Sequence, residues 1–180
     1  MTAQQVIIAL LVIGAAIVAG AMLRKRKPIA VAPPDVNIEM PLLAQDAIKW
    51  AAQKNVTLDF TAESVEGVEG LLAELHEKRA AGQLPDEQVT RAAVRYGAYV
   101  GEVIRRRHNG SWAIDHEVAG PGSFPVRWGE HQTFPIGWCR KRIHNGDEDN
   151  VWFKFRVLVL DDAKGATTFP SGGGEGDRSD

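Results

Sequence analysis

Residues Tyr96 to Trp112 read YGAYVGEVIRRRHNGSW, and a change of character inside this stretch decides the fold class. Up to Ile104 the apolar residues recur at spacings of three and four. With Val89 and Ala93 upstream, Tyr96, Val100, Val103 and Ile104 fall on one helical face. Gly97 and Gly101 stand four apart and cut a groove into that helix. Each costs up to about 1 kcal/mol of helix propensity relative to alanine, so a close contact is expected in the groove. Another backbone or the ring of Trp112 would fill it. Arg105-Arg106-Arg107 complement the dipole at a helix end, and Asn109-Gly110 is a natural stop. Beyond it, Ser111-Trp112-Ala113-Ile114 has the look of a strand.

Working back from this stretch, Leu84-Pro85-Asp86-Glu87 opens the same helix, with proline and acids in its first turn. An earlier helix carries Val65, Val68, Leu71, Leu72 and Leu75, with Thr61 or Ser64 as its cap and Ala81-Gly82 as its end. A first helix is predicted over Leu42 to Lys54, with Leu43, Ala47, Ile48 and Ala51 on one side. Working forward, Phe124 to Trp128 reads as a second strand after the turn residues Gly120-Pro121-Gly122. Phe134 to about His144 reads as a short helix ending at Asn145-Gly146. Period two across Val151, Phe153, Phe155, Val157 and Val159 favours a strand, with a buried terminal helix as the alternative. The expected fold is α+β: three N-terminal helices packed on a small antiparallel sheet with a further short helix, preceded by a single transmembrane helix.

That transmembrane helix is read at Val6 to Leu23, VIIALLVIGAAIVAGAML, which holds no charge and no proline. Eighteen residues at about 1.5 Å each span roughly 27 Å, enough for a bilayer core. Ala16 and Gly20 form a small-x-x-x-small pair of the kind that lets helices approach, although such pairs are common in any Ala/Gly-rich helix. Arg24-Lys25-Arg26-Lys27 comes directly after the run, while MTAQQ before it is uncharged. By the positive-inside rule the bulk of the chain stays in the cytoplasm. A cleaved signal peptide is the competing reading, with Ala30-Val31-Ala32 as the cut. It is disfavoured because the cations come after the apolar run and Pro33-Pro34 lies just past the site. The expected organisation is therefore anchor and basic stop at 1–27, a Pro-rich linker at 28–41, a globular domain at 42–160 and a disordered Gly-rich acidic tail at 161–180.

Composition narrows the classes further. The 180 residues carry 21 basic and 23 acidic side chains, with 44% hydrophobic and 24% charged residues, which excludes a fully disordered chain. Once the four cations at 24–27 are set aside, 17 basic side chains face 23 acidic ones. A mildly acidic domain argues against nucleic-acid binding. A single cysteine, Cys139, excludes an intramolecular disulfide framework and Cys-rich zinc modules. It reads as a small buried residue of a helix.

The pattern Tyr96-Gly97-Ala98-Tyr99-Val100-Gly101-Glu102 followed by Gly110-Ser111-Trp112 resembles that of an uncharacterised family of small bacterial domains of unknown function. Leu58-Asp59-Phe60-Thr61 is similar to a step of the same group. The resemblance covers roughly residues 42 to 160 and implies a shared fold but no chemistry and no functional residue.

Catalytic motifs are missing: there is no phosphate-binding Gly loop, no zinc helix, no Gly-x-Ser-x-Gly elbow and no EF-hand loop. Two readings of Glu102 stay open. One is a buried carboxylate satisfied by backbone amides or a Trp indole; the other is a general base or ligand contact. Asp115-His116-Glu117 reads as a solvated strand end rather than a metal site, because neighbours in an extended segment diverge. No cofactor is called for. The basic clusters Arg105-Arg106-Arg107-His108 and Arg140-Lys141-Arg142 are candidate partner surface, since Arg is a common binding anchor. Glu102, Arg105, Arg106, Arg140 and Arg142 are thus the candidate ligand or partner residues. The expected function is a non-enzymatic binding module, single-pass in the bacterial inner membrane, with an unknown protein partner. An immunity-type protein that neutralises a toxin at the membrane is the narrower alternative, and a hydrolase using Glu102 or His116 is the rival class.

Overall fold

The structure, a computed structural model, describes residues 35–114, 117, 120 and 123–161. The expected anchor from Val6 to Leu23, the cations at 24–27, Asp115, His116 and the tail after 161 lie outside the described residues. Among the described residues, no helix is long and apolar enough to cross a membrane.

Helix α1 spans Val36–Ala52, so the helix starts inside the stretch expected to be linker. Asp35 caps it, its carboxylate accepting from the Asn37 amide at 2.9 Å. Pro41 is accommodated within the helix. A mid-helix proline removes one backbone hydrogen bond, but Val36, Met40, Ala44, Ala47 and Ala51 are all buried along one face. That burial outweighs the local cost, and the domain boundary moves from 42 to 35. Helix α2 spans Ser64–Ala80 and ends before Gly82, whose φ of +72° suits a residue without a Cβ. Helix α3 runs from Asp86 to His108, and every residue of the expected apolar face is buried.

The sheet is α3's continuation. Asn109 takes the left-handed conformation, and the chain enters β1 (Ser111–Trp112). This strand pairs antiparallel with β2 (Val126–Trp128), which pairs in turn with β3 (His131–Thr133). The strands are shorter than expected, and β3 was not among them. Its residues, His-Gln-Thr, have no alternating apolar signal; Gly129, at φ +52°, opens the two-residue turn that folds them back on β2. Trp128 lies between the rings of His108 and His131, at 5.3 and 5.6 Å, which ties the hairpin to the end of α3.

Helix α4 (Pro135–Asn145) stops at Gly146, as the Asn-Gly pair suggested, and a 3-10 turn (Gly146–Asp149) comes next. The last segment is helical, not extended: α5 (Val151–Phe155) continues into π-helical turns over Arg156–Asp161. Val151, Phe155 and Val159 are buried while Phe153 and Val157 are exposed, a period of four rather than two. The Asn150 side chain accepts from the Phe153 amide and caps this helix. The observed architecture is therefore α+β and mostly helical. Helix α3 packs along α1, α4 and the sheet, and α2 packs on α4 and α5. Contacts between α2 and α3 are sparse, and this leaves a space open between them.

Candidate functional site

The glycine groove on α3 is filled on both steps. A Cβ on Gly97 would lie 2.4 Å from the Ile136 Cα at the start of α4, and one on Gly101 would lie 2.2 Å from the Trp112 ring. With Trp112 seated there, its indole Nε1 donates to the Glu102 carboxylate at 2.9 Å. Arg105 donates twice to the same carboxylate, at 2.7 and 3.0 Å, and Arg106 once at 3.3 Å. Glu102 has no exposed surface. Burial, the largest influence, pushes its carboxyl up, but the hydrogen bonds from Arg105, Trp112 and Arg106 outweigh it and hold the carboxyl below its ordinary value. Such a carboxylate stays ionised, is spent on its donors and has no open face toward a substrate. The reading of Glu102 as a satisfied buried carboxylate holds; the reading of it as a ligand contact is corrected, because Trp112 covers it.

The node extends through Arg106, whose guanidinium lies 3.5 Å from the Phe60 ring centroid. Phe60 stacks on Tyr99 at 5.0 Å, and the Tyr99 hydroxyl accepts from the Phe60 amide at 2.8 Å and bonds Ser64 at 2.6 Å. Asp59 accepts from both the amide and the hydroxyl of Thr61, and this holds its carboxyl below its ordinary value. Leu58-Asp59-Phe60-Thr61 and the Tyr96–Trp112 stretch, far apart in the chain, thus meet in one packed cluster.

Arg142 is the second correction. Sequence placed it on a partner surface, but it is 3% exposed. Its Nε donates to Glu69 of α2 and its Nη2 donates to Asp147 at 2.7 Å. Glu69 also accepts from the Val151 amide at 2.7 Å, so one carboxylate joins α2, α4 and the start of α5. Glu69 was missed because a lone Glu on an amphipathic helix looks solvated; its position between Val68 and Leu72 was the available signal. Cys139 is buried in α4, and burial, with the Glu69 charge second, pushes its thiol far up and leaves it unreactive.

Arg140 is exposed, yet it does not join Arg105 and Arg106 in a stripe. His144, one turn further along α4, lies within electrostatic reach of Arg79, Arg140 and Asp86. Asp86 opens α3, and Arg105 lies 19 residues later in the same helix, about 28 Å away at the helical rise. Among the described residues no group of three His, Cys, Asp or Glu side chains converges on a point.

A concave surface lies elsewhere among the described residues, between the end of α1, the second half of α2 and the first half of α3. It is a half-open cleft of about 750 Å³, inside the range of small-molecule sites. Leu71, Leu75, Leu84, Ala92 and Tyr96 make its floor, and Lys54, Lys78, Arg91, Arg95 and Glu74 its rim. At the mouth the Arg95 guanidinium stacks on the exposed Trp50 ring, 4.4 Å from its centroid, while its Nε donates to Asp46 at 2.7 Å. The rim residues did not stand out in the sequence. Leu71 and Leu75 were visible as a helix face, but only the sparse packing of α2 on α3 makes them the lining of a cleft.

Compared with protein-family models, curated proteins and solved structures, the chain has no match.

Proposed function

We propose that the protein is a membrane-anchored, non-enzymatic binding module whose binding surface is the cleft between α1, α2 and α3. The observation that carries this reading is the cleft itself: an apolar floor, a charged rim and an exposed Trp50 in one concave surface. Glu102, the carboxylate on which a hydrolase would rely, is committed to Arg105, Arg106 and Trp112. The tether rests on the uncharged run from Val6 to Leu23 and on the four cations after it, which oppose translocation of the chain beyond Lys27. On this reading the domain lies on the cytoplasmic face of the bacterial inner membrane, where a partner or ligand would reach the cleft from the cytosol.

Fusions test the topology. A fluorescent protein joined after Asp180 should be bright and alkaline phosphatase joined there inactive, with the chain retained in carbonate-washed membranes. The reverse pair, or a mature chain that begins at Pro33, would overturn the anchor and its orientation. Crosslinking in intact cells from a photoreactive residue at Gln88, on the cleft wall, tests the binding surface. Adducts from Gln88 but not from Glu117, an exposed residue elsewhere, support the cleft; the opposite pattern refutes it.

A further inference from the structure

The cleft is a cationic patch on an acidic chain. Its lining holds four cations, Lys54, Lys78, Arg91 and Arg95, against the single carboxylate of Glu74, although acids outnumber bases in the whole protein. Some of that charge is already engaged: Lys54 pairs with Glu74 at 2.9 Å and Arg95 with Asp46. Arg91 reaches Glu87 only at 3.4 Å, with both side chains exposed. Lys78 has no ion-pair partner among the described residues. Lys78 is therefore unpaired, and Arg91 is held only by a solvent-screened exposed pair that an incoming anion can displace.

A second, independent feature lies deeper. Tyr96 is 6% exposed and lines the cleft. Its hydroxyl has no hydrogen-bond partner among the described residues, in contrast to Tyr99 three residues on, whose hydroxyl has two. Nor is that oxygen among the sealed, unpartnered atoms, so it keeps a route to solvent. Arg95, Glu74, Asp46 and Cys139 all act on it electrostatically, and the first two line the cleft. A hydroxyl on a side chain so largely buried is ordinarily paired, and this one, unpaired on a residue that lines the cleft, is available to a ligand.

We infer that the cleft binds a small organic anion with an apolar body, whose acidic head lies between Lys78 and Arg91 and is hydrogen-bonded by the Tyr96 hydroxyl. The apolar body lies on Leu71, Leu75 and Leu84, and Trp50 covers its outer edge. This rests on the reading of the cleft as the binding surface and adds the chemistry of what occupies it. The charge at the rim selects an anion over a neutral compound of equal shape, and the floor selects a substituted acid over inorganic phosphate.

The test uses the full chain in lipid nanodiscs, with empty nanodiscs subtracted, and phenylbutyrate as probe. Phenylbutanamide controls for charge and inorganic phosphate for the apolar body. Calorimetric titration should show phenylbutyrate binding at least roughly tenfold tighter than either control. Lys78→Glu with Arg91→Glu, both at exposed positions, should weaken it by a further factor of about ten while the melting temperature holds. Tyr96→Phe should weaken binding by about three- to tenfold without loss of stability, because the hydroxyl it removes bonds nothing in the fold. Equal binding of acid and amide, no binding up to about 10 mM, or full affinity in the charge-reversed variant would each overturn the assignment. The anchor is read separately: a chain that stays out of the nanodiscs refutes the tether, and the same titration is then read in solution.

Discussion

At two places along helix α3 the same three kinds of group meet, with opposite results. Toward its C-terminal end a carboxylate, arginines and a tryptophan (Glu102, Arg105, Arg106, Trp112) form a closed node. Nearer its start Asp46, Arg95 and Trp50 form an open one. Trp112 is 3% exposed and Trp50 47%; the Glu102 side chain is fully buried and that of Asp46 is 43% exposed. Residue type therefore does not separate structural from available. What separates them is backbone approach. Gly101 lets the Trp112 ring lie against α3 and seal the carboxylate, whereas sparse packing between α2 and α3 leaves the other site in contact with water. Charge in the closed node holds the fold, and charge in the open one can be lent to a ligand.

The largest effect on this contrast is expected where a buried charge loses its partner. Arg142→Ala leaves Glu69 uncompensated between three helices and should cost about 3–5 kcal/mol in denaturant-induced unfolding. A loss below about 1 kcal/mol would show that the closed networks are no more structural than surface pairs. Next comes Gly101→Ala, whose new methyl would collide with the Trp112 ring; a loss of about 3 kcal/mol is expected because the ring is the covering layer and has nowhere to retreat. An unchanged melting midpoint would mean that the seal over Glu102 is loose.

Glu102→Gln keeps the shape but removes the charge, and about 2 kcal/mol should be lost at neutral pH. The pH dependence has a definite sign. The folded carboxyl titrates below its ordinary 4.5, so the stability it contributes is complete above that value and lost as pH falls through the depressed one. The gap between wild type and Glu102→Gln should then close in acid, as measured by urea titrations on either side of pH 4.5. A gap constant with pH would show that the carboxylate is not ionised in the folded protein. The smallest effect belongs to the open site: Trp50→Ala removes only a solvent-facing cation–π contact and should cost under about 1 kcal/mol. A larger loss would make Trp50 part of the core and undo the contrast.

Much of the fold was readable from local pattern. The face of α3 from Val89 to Ile104, the stops at Gly82, Asn109 and Gly146, and the groove at Gly97 and Gly101 all come from spacing and backbone sterics. Where local pattern misled, a long-range contact had overruled it. Proline at 41 suggested an extended linker, but burial of Val36 and Met40 carries α1 through it. Alternation over 151–160 suggested a strand, but Glu69, 82 residues away, accepts from the Val151 amide at the start of a helix. Arg142 read as surface for the same reason: its partners lie on α2 and in the turn after α4.

The amino-acid order by itself determined the helix faces, the turns and the acidic balance of the chain, because these depend on neighbours within a few positions or on counting. Only the tertiary structure decided which charges are sealed and which are open. A carboxylate or an arginine carries the same local signature in both settings, and its role depends on which distant backbone comes within a few ångströms of it.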